Sequence, residues 1–404
     1  MIGFIKKNIK LVIILTAILA RITAVLISGD KLVYGDEFQY IKIAKNLIHN
    51  GFYGLDAPDA YRPPLYSFFI AALFFISHDS IVFAKIIQAI VGGIALIFLF
   101  GIGEIIFDKR ISLLAGALYA FYPLLIYLTT ALFPQTILCF LLFGSVYILL
   151  KIRNDNNILL FLSGGIFIGL IFLLVPPYAF LFLFFIYYAI IGKTINFKKI
   201  ILNIIMLFFS TSIFVLPWLI RNNKLTGQIG YIADTGILNL WLGNNPTAKA
   251  QHFTISPEAY YGKEYKLMLK IKQINFLKNE SFYWIKTNPI KFFKISIHKF
   301  LKFYSPYGMS TNPKGAKMGM HGIIIAISYI PILFLGIISV VLSTTKHMKN
   351  SCFLMLFIFF ITGFIYSLFI TSIRFRIPLD GLMIVLASFS IVFIWDKKKI
   401  YKYL

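Results

Sequence analysis

The chain has 404 residues, of which 59% are hydrophobic and only 13% are charged. A soluble protein with so few charged residues could not cover its surface, so the composition predicts an integral membrane protein with many spans. The formal net charge is +24 at pH 7, but the lysines and arginines form short clusters between apolar runs. This distribution is typical of the loops of membrane proteins and argues against nucleic-acid binding, which needs a continuous basic face.

Ten apolar segments approach the roughly 20 residues that a helix needs to cross a bilayer. The first follows Lys6, Lys7 and Lys10 and is longer than the core of a typical signal peptide, so we expect an uncleaved signal-anchor helix. The predicted fold class is an all-α polytopic membrane protein with about ten transmembrane helices. The segments are 11–28, 81–107, 111–132, 134–151, 157–175, 177–192, 200–219, 321–344, 351–371 and 379–395.

The basic clusters predict how the chain is oriented. With ten spans, every cluster lies on the same side of the membrane, and the positive-inside rule makes that side the cytoplasm. We therefore expect a multi-pass protein of the inner (plasma) membrane with both termini in the cytoplasm, and with residues 29–80 and 221–320 outside. The clusters lie at 6–10, 109–110, 151–153, 193–199, 346–349 and 397–402.

The two outer regions divide the chain into three parts, which are 1–220, 221–320 and 321–404. The first part contains the outer loop 29–80. In that loop the apolar residues of 38–50 recur at helical spacing, and the apolar run 65–77 is too short to span. Both segments are therefore predicted to be helices lying at the membrane interface.

The outer region before the last three spans also has a helical pattern. Lysines alternate with aromatic and aliphatic residues over 257–304. This alternation predicts an amphipathic helix that lies on the outer leaflet.

Asp36 and Glu37 lie just beyond the first span, in a chain that contains only 15 acidic residues. They stand at the start of the predicted helix 38–50, where negative charge is favourable, so they could simply cap it. Alternatively, they could act as a general base or as ligands of a divalent cation. A cap explains one carboxylate better than it explains two adjacent ones.

Four arginines are predicted to lie at the membrane surface, where they could contact a phosphate group. Arg62 precedes the interfacial helix 65–77, Arg221 follows a span, and Arg374 and Arg376 open the last span. Each of them could bind a phosphate or could simply extend its charge toward water from an apolar position. These residues alone do not separate the two interpretations.

Residues 239–245 combine an indole with side-chain amides, which can stack on a sugar and bind its hydroxyl groups. Asparagine is also an ordinary turn residue, so Trp241, Asn244 and Asn245 fit either role. No nucleotide-binding fingerprint occurs in the chain. The spans contain few ionisable groups, which disfavours ion-coupled transport.

Five stretches occur in an order, and on a side of the membrane, that match a known family. Together they resemble the polyprenyl-phosphate-sugar glycosyltransferases of the membrane-embedded C fold, which include protein O-mannosyltransferases and lipid A aminoarabinose transferase and are similar to glycosyltransferase family 39. The resemblance covers nearly the whole chain. The stretches are Gly-Asp-Glu-x-x-Tyr at 35–40, Arg-Pro-Pro-Leu-Tyr at 62–66, 217–222 with Gly227, 240–245, and Arg-Phe-Arg-Ile-Pro at 374–378.

The resemblance implies roles for the acidic and basic residues. In that family an acidic residue of the first outer loop is the catalytic carboxylate, and this role corresponds to Asp36, with Glu37 as the second acidic residue. Relatives often carry another acidic residue where this chain has Gln135. The donor phosphate is assigned to the arginines Arg62, Arg374, Arg376 and Arg221.

The implied activity is the transfer of a sugar from a polyprenyl-phosphate donor to a lipid, glycan or protein acceptor at the extracytoplasmic face. Asp36 would be the general base of an inverting displacement. No cofactor is required, although a divalent cation held by Asp36 and Glu37 stays open. The candidates for binding the sugar or the acceptor are Tyr40, Tyr61, Trp241, Asn244 and Asn245.

Two alternative functions stay open. One is a flippase or transporter of lipid-linked glycans, in which Asp36 would be dispensable. The other is a glycan polymerase that uses lipid-diphosphate donors and relies on arginines alone.

Overall fold

The computed structural model describes residues 8–155, 157–191, 196–249, 255–306 and 320–396. Within these ranges the regular structure is entirely helical. The α-helices are α1 (Ile9–Ser28), α2 (Gly35–His49), α3 (Pro64–Ser77), α4 (Ile81–Ile94), α5 (Leu96–Ile106), α6 (Lys109–Ala120), α7 (Pro123–Tyr127), α8 (Gln135–Asn154), α9 (Ile158–Leu174), α10 (Leu181–Ile191), α11 (Phe197–Thr226), α12 (Asp234–Gly243), α13 (Pro257–Leu267), α14 (Lys270–Thr287), α15 (Pro289–Phe303), α16 (Met320–Leu342), α17 (Lys346–Ser367) and α18 (Ile373–Trp395).

In the described part of the chain, seven helical segments are long and apolar enough to cross a membrane. They are α1, α4 together with α5, α8, α11, α16, α17 and α18, and the bent pair α6–α7 makes up to eight. The all-α polytopic fold class is therefore confirmed. The count of ten stays a prediction, because it also includes two shorter apolar helices, Ile158–Leu174 and Pro176–Ile191.

Polar contacts distinguish the two ends of the helix bundle. At one end, which we call the Glu104 end, Lys10 Nζ lies 2.7 Å from Glu104 Oε2 and Arg110 Nη1 lies 3.0 Å from Asp396 Oδ2. At the same end, Arg153 Nη1 donates to a hydroxyl at the start of α17 at 3.0 Å. The predicted basic clusters at 109–110, 151–153 and 346–349 thus come together. The cluster at 397–402 and parts of those at 6–10 and 193–199 lie outside the described residues.

The opposite end, which we call the Asp36 end, carries α2, α3 and the region 227–306. The helices α2 and α3 confirm the two helices predicted in the first outer loop. Over 257–304 the predicted helical pattern forms three helices, α13, α14 and α15. The chain is extended at Leu269, with ψ of 141°, and it leaves the helical conformation again at Asn288. A proline follows Asn288, and the residue before a proline disfavours the α-helical conformation.

The predicted span 111–132 is broken by a bend of 52° between α6 and α7. Arg21 of α1 is fully buried opposite this break. Its guanidinium donates to the carbonyl oxygens of Tyr119 at 3.2 Å and of Ala120 at 3.3 Å. It thus supplies donors at the end of α6, where a helix leaves carbonyls without intrahelical partners. The sequence around Arg21 carries no signal for this role, because nothing local to an arginine reveals a helix break on a neighbouring segment.

Replacing Arg21 with methionine is expected to destabilise the protein. Ala120 O would lose the donor that Arg21 supplies, and a buried carbonyl left unpartnered costs about 1–3 kcal/mol. Thermal unfolding in detergent should show a lower transition temperature for Arg21→Met. The matched control is Arg110→Met, which removes a guanidinium that is 56% exposed at the opposite end of α6 and should have little effect. Equal transition temperatures for Arg21→Met and the parent protein would contradict this role.

Candidate active site

Glu37 is fully buried in the first turn of α2. Its Oε2 accepts hydrogen bonds from the backbone N–H groups of Val33 and Tyr34, both at 2.9 Å. Its Oε1 accepts from the N–H of Leu132, also at 2.9 Å, in the turn that precedes α8. Both oxygens are therefore engaged in capping α2 and in fixing it to the rest of the bundle.

Asp36 presents its carboxylate to two arginines. Arg62, in the turn before α3, donates from Nη2 to Oδ1 of Asp36, and Arg374, at the start of α18, places Nη2 at 2.5 Å from Oδ2. The Asp36 side chain is 23% exposed, and those of Arg62 and Arg374 are 13% and 18% exposed. Two turns of the first outer loop and the start of α18, which is far away in the sequence, thus meet at one accessible carboxylate.

The charges around Asp36 determine its acidity. Burial alone would raise the pKa of this carboxyl group, but the guanidinium groups of Arg374 and Arg62 outweigh burial and lower the pKa to about 2. The carboxylate is therefore ionised at neutral pH. While both arginines hold it, it is also a weak base.

Arg62 is itself held from several sides. Its Nε donates to Gln39 Oε1 at 3.0 Å, and its guanidinium lies 5.0 Å from the Tyr40 ring and 5.5 Å from the Tyr61 ring. Tyr40 is buried, whereas Tyr61 is partly exposed. The sequence analysis missed Gln39, although its place three residues after Asp36 on one helix face could have indicated a shared site.

Arg374 is flanked by aromatic rings. Its guanidinium lies 4.9 Å from the Phe133 ring and 5.1 Å from the Phe375 ring. Its Nε is buried and has no hydrogen-bond partner within the described ranges. Arg374 thus retains a donor that an incoming oxygen could occupy. The sequence analysis missed the contribution of Phe133, for which the local sequence carries no signal.

The other two predicted phosphate-binding arginines face away from Asp36. Arg376 is fully buried, and its Nη1 donates to Ser305 O at 2.9 Å while its Nε lies 3.3 Å from Asp380 Oδ1. Arg221 donates to Asp59 O at 2.6 Å and joins α11 to the first outer loop. Of the four arginines proposed for the donor phosphate, the structure brings only Arg62 and Arg374 to Asp36.

The predicted sugar-binding residues of 239–245 lie in packed surroundings. Trp241 is fully buried and donates from Nε1 to the Tyr261 hydroxyl at 3.1 Å. The amide nitrogen of Asn244 donates to Leu368 O, and that of Asn245 donates to Trp241 O, both at 2.8 Å. Sugar binding would require an exposed ring and free amides. These three residues instead hold α12 and its surroundings together.

The arrangement does not fit a divalent cation between Asp36 and Glu37. Each oxygen of Asp36 already faces a guanidinium, and the oxygens of Glu37 accept three backbone hydrogen bonds. Among the described residues, no group of three or more His, Cys, Asp and Glu side chains could hold a metal ion. We therefore derive no step through a metal.

Comparisons with known proteins identify the fold. Residues 61–220, somewhat less than half of the chain, match the family model of dolichyl-phosphate-mannose-protein mannosyltransferases. Among solved structures, the chain is similar to the oligosaccharyltransferase AglB of Archaeoglobus fulgidus in complex with an inhibitory peptide and a dolichol-phosphate. The TM-score is 0.55 at 16% identity, covering 98% of this chain and 52% of that one. The chain has the C fold of membrane-embedded glycosyltransferases.

This chain spans about half the length of the oligosaccharyltransferase. ArnT from Cupriavidus metallidurans, bound to undecaprenyl phosphate, matches with a TM-score of 0.48 at 12% identity, covering 93% of this chain and 77% of that one. No curated protein sequence matches the chain. The segment 61–220 includes Arg62, whereas Asp36 and Arg374 lie outside it, so the grouping of these three residues rests on the geometry.

Proposed function

We propose that the protein is a membrane glycosyltransferase that uses a polyprenyl-phosphate sugar as its donor. The observation that carries this proposal is the partly exposed carboxylate of Asp36, held between Arg62 and Arg374. A carboxylate can accept the proton of an acceptor hydroxyl, and two guanidinium groups can bind a phosphate. The C fold and the family match over 61–220 support the same class of reaction.

The reaction follows from these roles. The acceptor hydroxyl attacks the anomeric carbon of the sugar while the bond from that carbon to the phosphate oxygen breaks. The proton of the hydroxyl passes to Asp36, and the polyprenyl phosphate leaves with the negative charge. Arg62 and Arg374 would stabilise that developing charge. Because attack and departure take place on opposite faces of the sugar, the configuration at the anomeric carbon inverts.

Binding of the donor would also prepare the base. The phosphate competes with Asp36 for both guanidinium groups, and the buried Nε of Arg374 offers it a further donor. As the arginines turn toward the phosphate, they stabilise the charged carboxylate less, so the pKa of Asp36 rises from about 2. A more basic Asp36 accepts a proton more readily.

An apolar groove between α10 and α17 suits the polyprenyl tail. Its volume is about 920 Å³, which is large enough for a long lipid chain. Its lining residues Phe180 and Ile365 are close in sequence to Tyr178 and Tyr366. These two tyrosines contact Phe375, next to Arg374, through a 2.8 Å hydrogen bond and a ring stack at 4.5 Å. The lining residues are Arg153, Phe180, Leu183, Phe184, Tyr187, Tyr188, Ile191, Asn350, Phe353, Leu354, Phe357, Ile361 and Ile365.

We place the Asp36 end on the extracytoplasmic face of the membrane. Three of the predicted basic clusters lie at the opposite end, and clusters of this kind favour the cytoplasm. The donor would then be used from the outer leaflet. The acceptor is a lipid, a glycan or a protein that reaches this face.

The proposal is tested by giving purified protein in nanodiscs a set of polyprenyl phosphates that carry different radiolabelled sugars, together with lipid, glycan and peptide acceptors. We expect the label to move to an acceptor while polyprenyl phosphate is released. Nucleotide sugars should give no transfer. If labelled donor crosses the bilayer of proteoliposomes without forming any new glycosidic bond, the protein is a transporter and the proposal fails.

The groove supplies an internal control for this assay. Leu183 lines the groove and is largely exposed in it, so Leu183→Trp should raise the KM for a long-chain donor several-fold and leave a short-chain donor unaffected. The matched control is Leu159→Trp, which adds the same bulk at a residue that is 65% exposed on α9 and lies outside the groove. Equal effects of the two variants would argue against the groove as the site of the tail.

A further inference from the structure

Helix α12 is joined at its first residues to the segment that carries Arg62. The backbone N–H of Asp234 donates to Ala60 O at 2.8 Å, and that of Thr235 donates to Tyr61 O at 3.2 Å. The first N–H groups of a helix have no partners within the helix. These bonds therefore connect α12 to the turn without the loss of any hydrogen bond inside α12. Arg62 is the next residue of that turn.

The other end of α12 is joined to the segment that carries Arg374. The Asn244 amide donates to Leu368 O at 2.8 Å. Gly243 lies so close to the same turn that a Cβ atom at this position would be 2.0 Å from Phe369 O. Arg374 follows this turn directly. Helix α12 therefore connects the two segments whose arginines meet at Asp36.

Lys299 of α15 fixes the C-terminal end of α12. Its side chain is only 2% exposed, and its Nζ donates to Gly243 O at 2.8 Å. Burial lowers the pKa of Lys299 to about 8, so the ammonium group stays largely charged at neutral pH. A cation is favourable at the C-terminus of a helix. No carboxylate in the described part of the chain forms an ion pair with Lys299, so the helix end is its principal partner.

We infer that Lys299 is a positioning residue of the active site and that α12 is the strut through which it acts. With ten residues, the strut is about 15 Å long. Its length and its two fixed ends set the separation between the segments of Arg62 and Arg374. This separation lets both arginines reach Asp36. The catalytic meaning of this inference rests on the proposed function, whereas the geometric claim can be tested without any transfer activity.

The test measures how easily Asp36 is protonated. A water-soluble carbodiimide with an amine nucleophile labels protonated carboxyl groups, and peptide mass spectrometry locates the label. In the parent protein Asp36 should be almost unlabelled at about pH 5, since its pKa is about 2. In Lys299→Met the end of α12 is released, Arg374 moves from Asp36, and labelling of Asp36 should rise about tenfold for each unit by which its pKa increases.

Two further variants distinguish positioning from general damage to the fold. Gly243→Ala pushes the end of α12 away from the turn before Arg374 by a different route and should also increase the labelling of Asp36. Lys299→Gln keeps a hydrogen-bond donor for Gly243 O, so it should restore part of the parent behaviour. The matched control is Lys294→Met, an exposed lysine of the same helix, which should change nothing.

Two carboxyl groups serve as references in each sample. Asp56 is 85% exposed and should be labelled equally in every variant, whereas buried Glu37 should stay unlabelled while the protein is folded. If Lys299→Met and Gly243→Ala both leave the labelling of Asp36 at the parent level, with Glu37 protected, the inference is overturned. Increased labelling of Glu37 along with Asp36 would also overturn it, because the effect would then be general unfolding.

Transfer activity gives an independent second reading. We expect Lys299→Met to raise the KM for the polyprenyl-phosphate donor several-fold, with a smaller change in kcat. If no donor supports transfer, the proposed function fails while the labelling result stands. If transfer occurs but the labelling of Asp36 does not respond to Lys299, the strut fails and the proposed function stands.

Discussion

Asp36→Asn is expected to reduce sugar transfer by about 10²- to 10⁴-fold, the contribution that a positioned general base typically makes. The amide has nearly the same shape as the carboxylate but cannot accept the proton of the acceptor. Because the arginines would no longer pair with a carboxylate, donor phosphate should bind at least as tightly as in the parent protein. The loss should therefore appear in kcat and not in the KM for the donor. Initial rates at saturating donor, per amount of folded protein, measure it.

Glu37→Gln is the informative comparison for Asp36→Asn. The buried Glu37 side chain accepts three backbone hydrogen bonds, and an amide can accept at only one of its two ends. We therefore expect this substitution to lower thermal stability while the folded fraction keeps most of its activity. Asp56→Asn controls for the loss of one charge in an exposed part of the same loop. An Asp36→Asn protein that folds normally and transfers sugar at the parent rate would remove Asp36 from the mechanism.

The sequence predicted the fold well where the evidence was local. Long apolar runs indicated spans, and the short run 65–77 correctly indicated the short helix α3. The acidic pair and Arg62 belong to one outer loop, so their meeting required little long-range folding. The helix break at 121–122 was missed, although Pro123 directly after it is a local signal for the end of a helix. Two apolar segments also form helices shorter than the expected length, which leaves the span count open.

Sequence reasoning was less informative about the direction in which each side chain points. Arg374 and Arg376 are two residues apart at the start of α18, yet one faces Asp36 and the other is buried against Asp380. Residues two apart on a helix do not share a face, but the pattern alone could not say which of them faces the site. Trp241 and Lys299 illustrate the same problem. An indole or a lysine in an outer region suggests exposure, whereas the packing of α12 to α15 buries both.

Arg374→Gln is expected to show that donor binding and the basicity of Asp36 depend on the same guanidinium. Arg374 would form a nearly buried, hydrogen-bonded charge pair with the donor phosphate, and loss of one partner of such a pair costs about 2–5 kcal/mol. The KM for the donor should therefore rise by at least about thirtyfold. With Arg62 as its only cationic partner, Asp36 loses much of the effect that opposes burial, and its pKa rises from about 2.

The pH dependence of kcat/KM follows from the ionisation of Asp36, because only its carboxylate form can act as the base. In the parent protein, kcat/KM should stay level on the acid side until the pH approaches the lowered pKa of Asp36. In Arg374→Gln the acid limb should move to higher pH, because Asp36 is protonated earlier. The interaction that stabilises ionised Asp36 in the folded state is fully present above the ordinary carboxyl pKa of 3.8 and is lost as the pH falls through the folded-state pKa of about 2. The variant should therefore also be less stable than the parent protein at neutral pH.

Arg374→Lys and Arg376→Gln complete this experiment. Lysine keeps the charge but cannot bind in the forked geometry of a guanidinium, so it should restore the position of the acid limb better than it restores donor affinity. Arg376→Gln alters a buried residue that does not pair with Asp36, so it should lower stability and leave the acid limb in place. If Arg374→Gln changes neither the KM for the donor nor the acid limb, then Arg374 only anchors α18. The donor phosphate would in that case have to be bound by Arg62 alone.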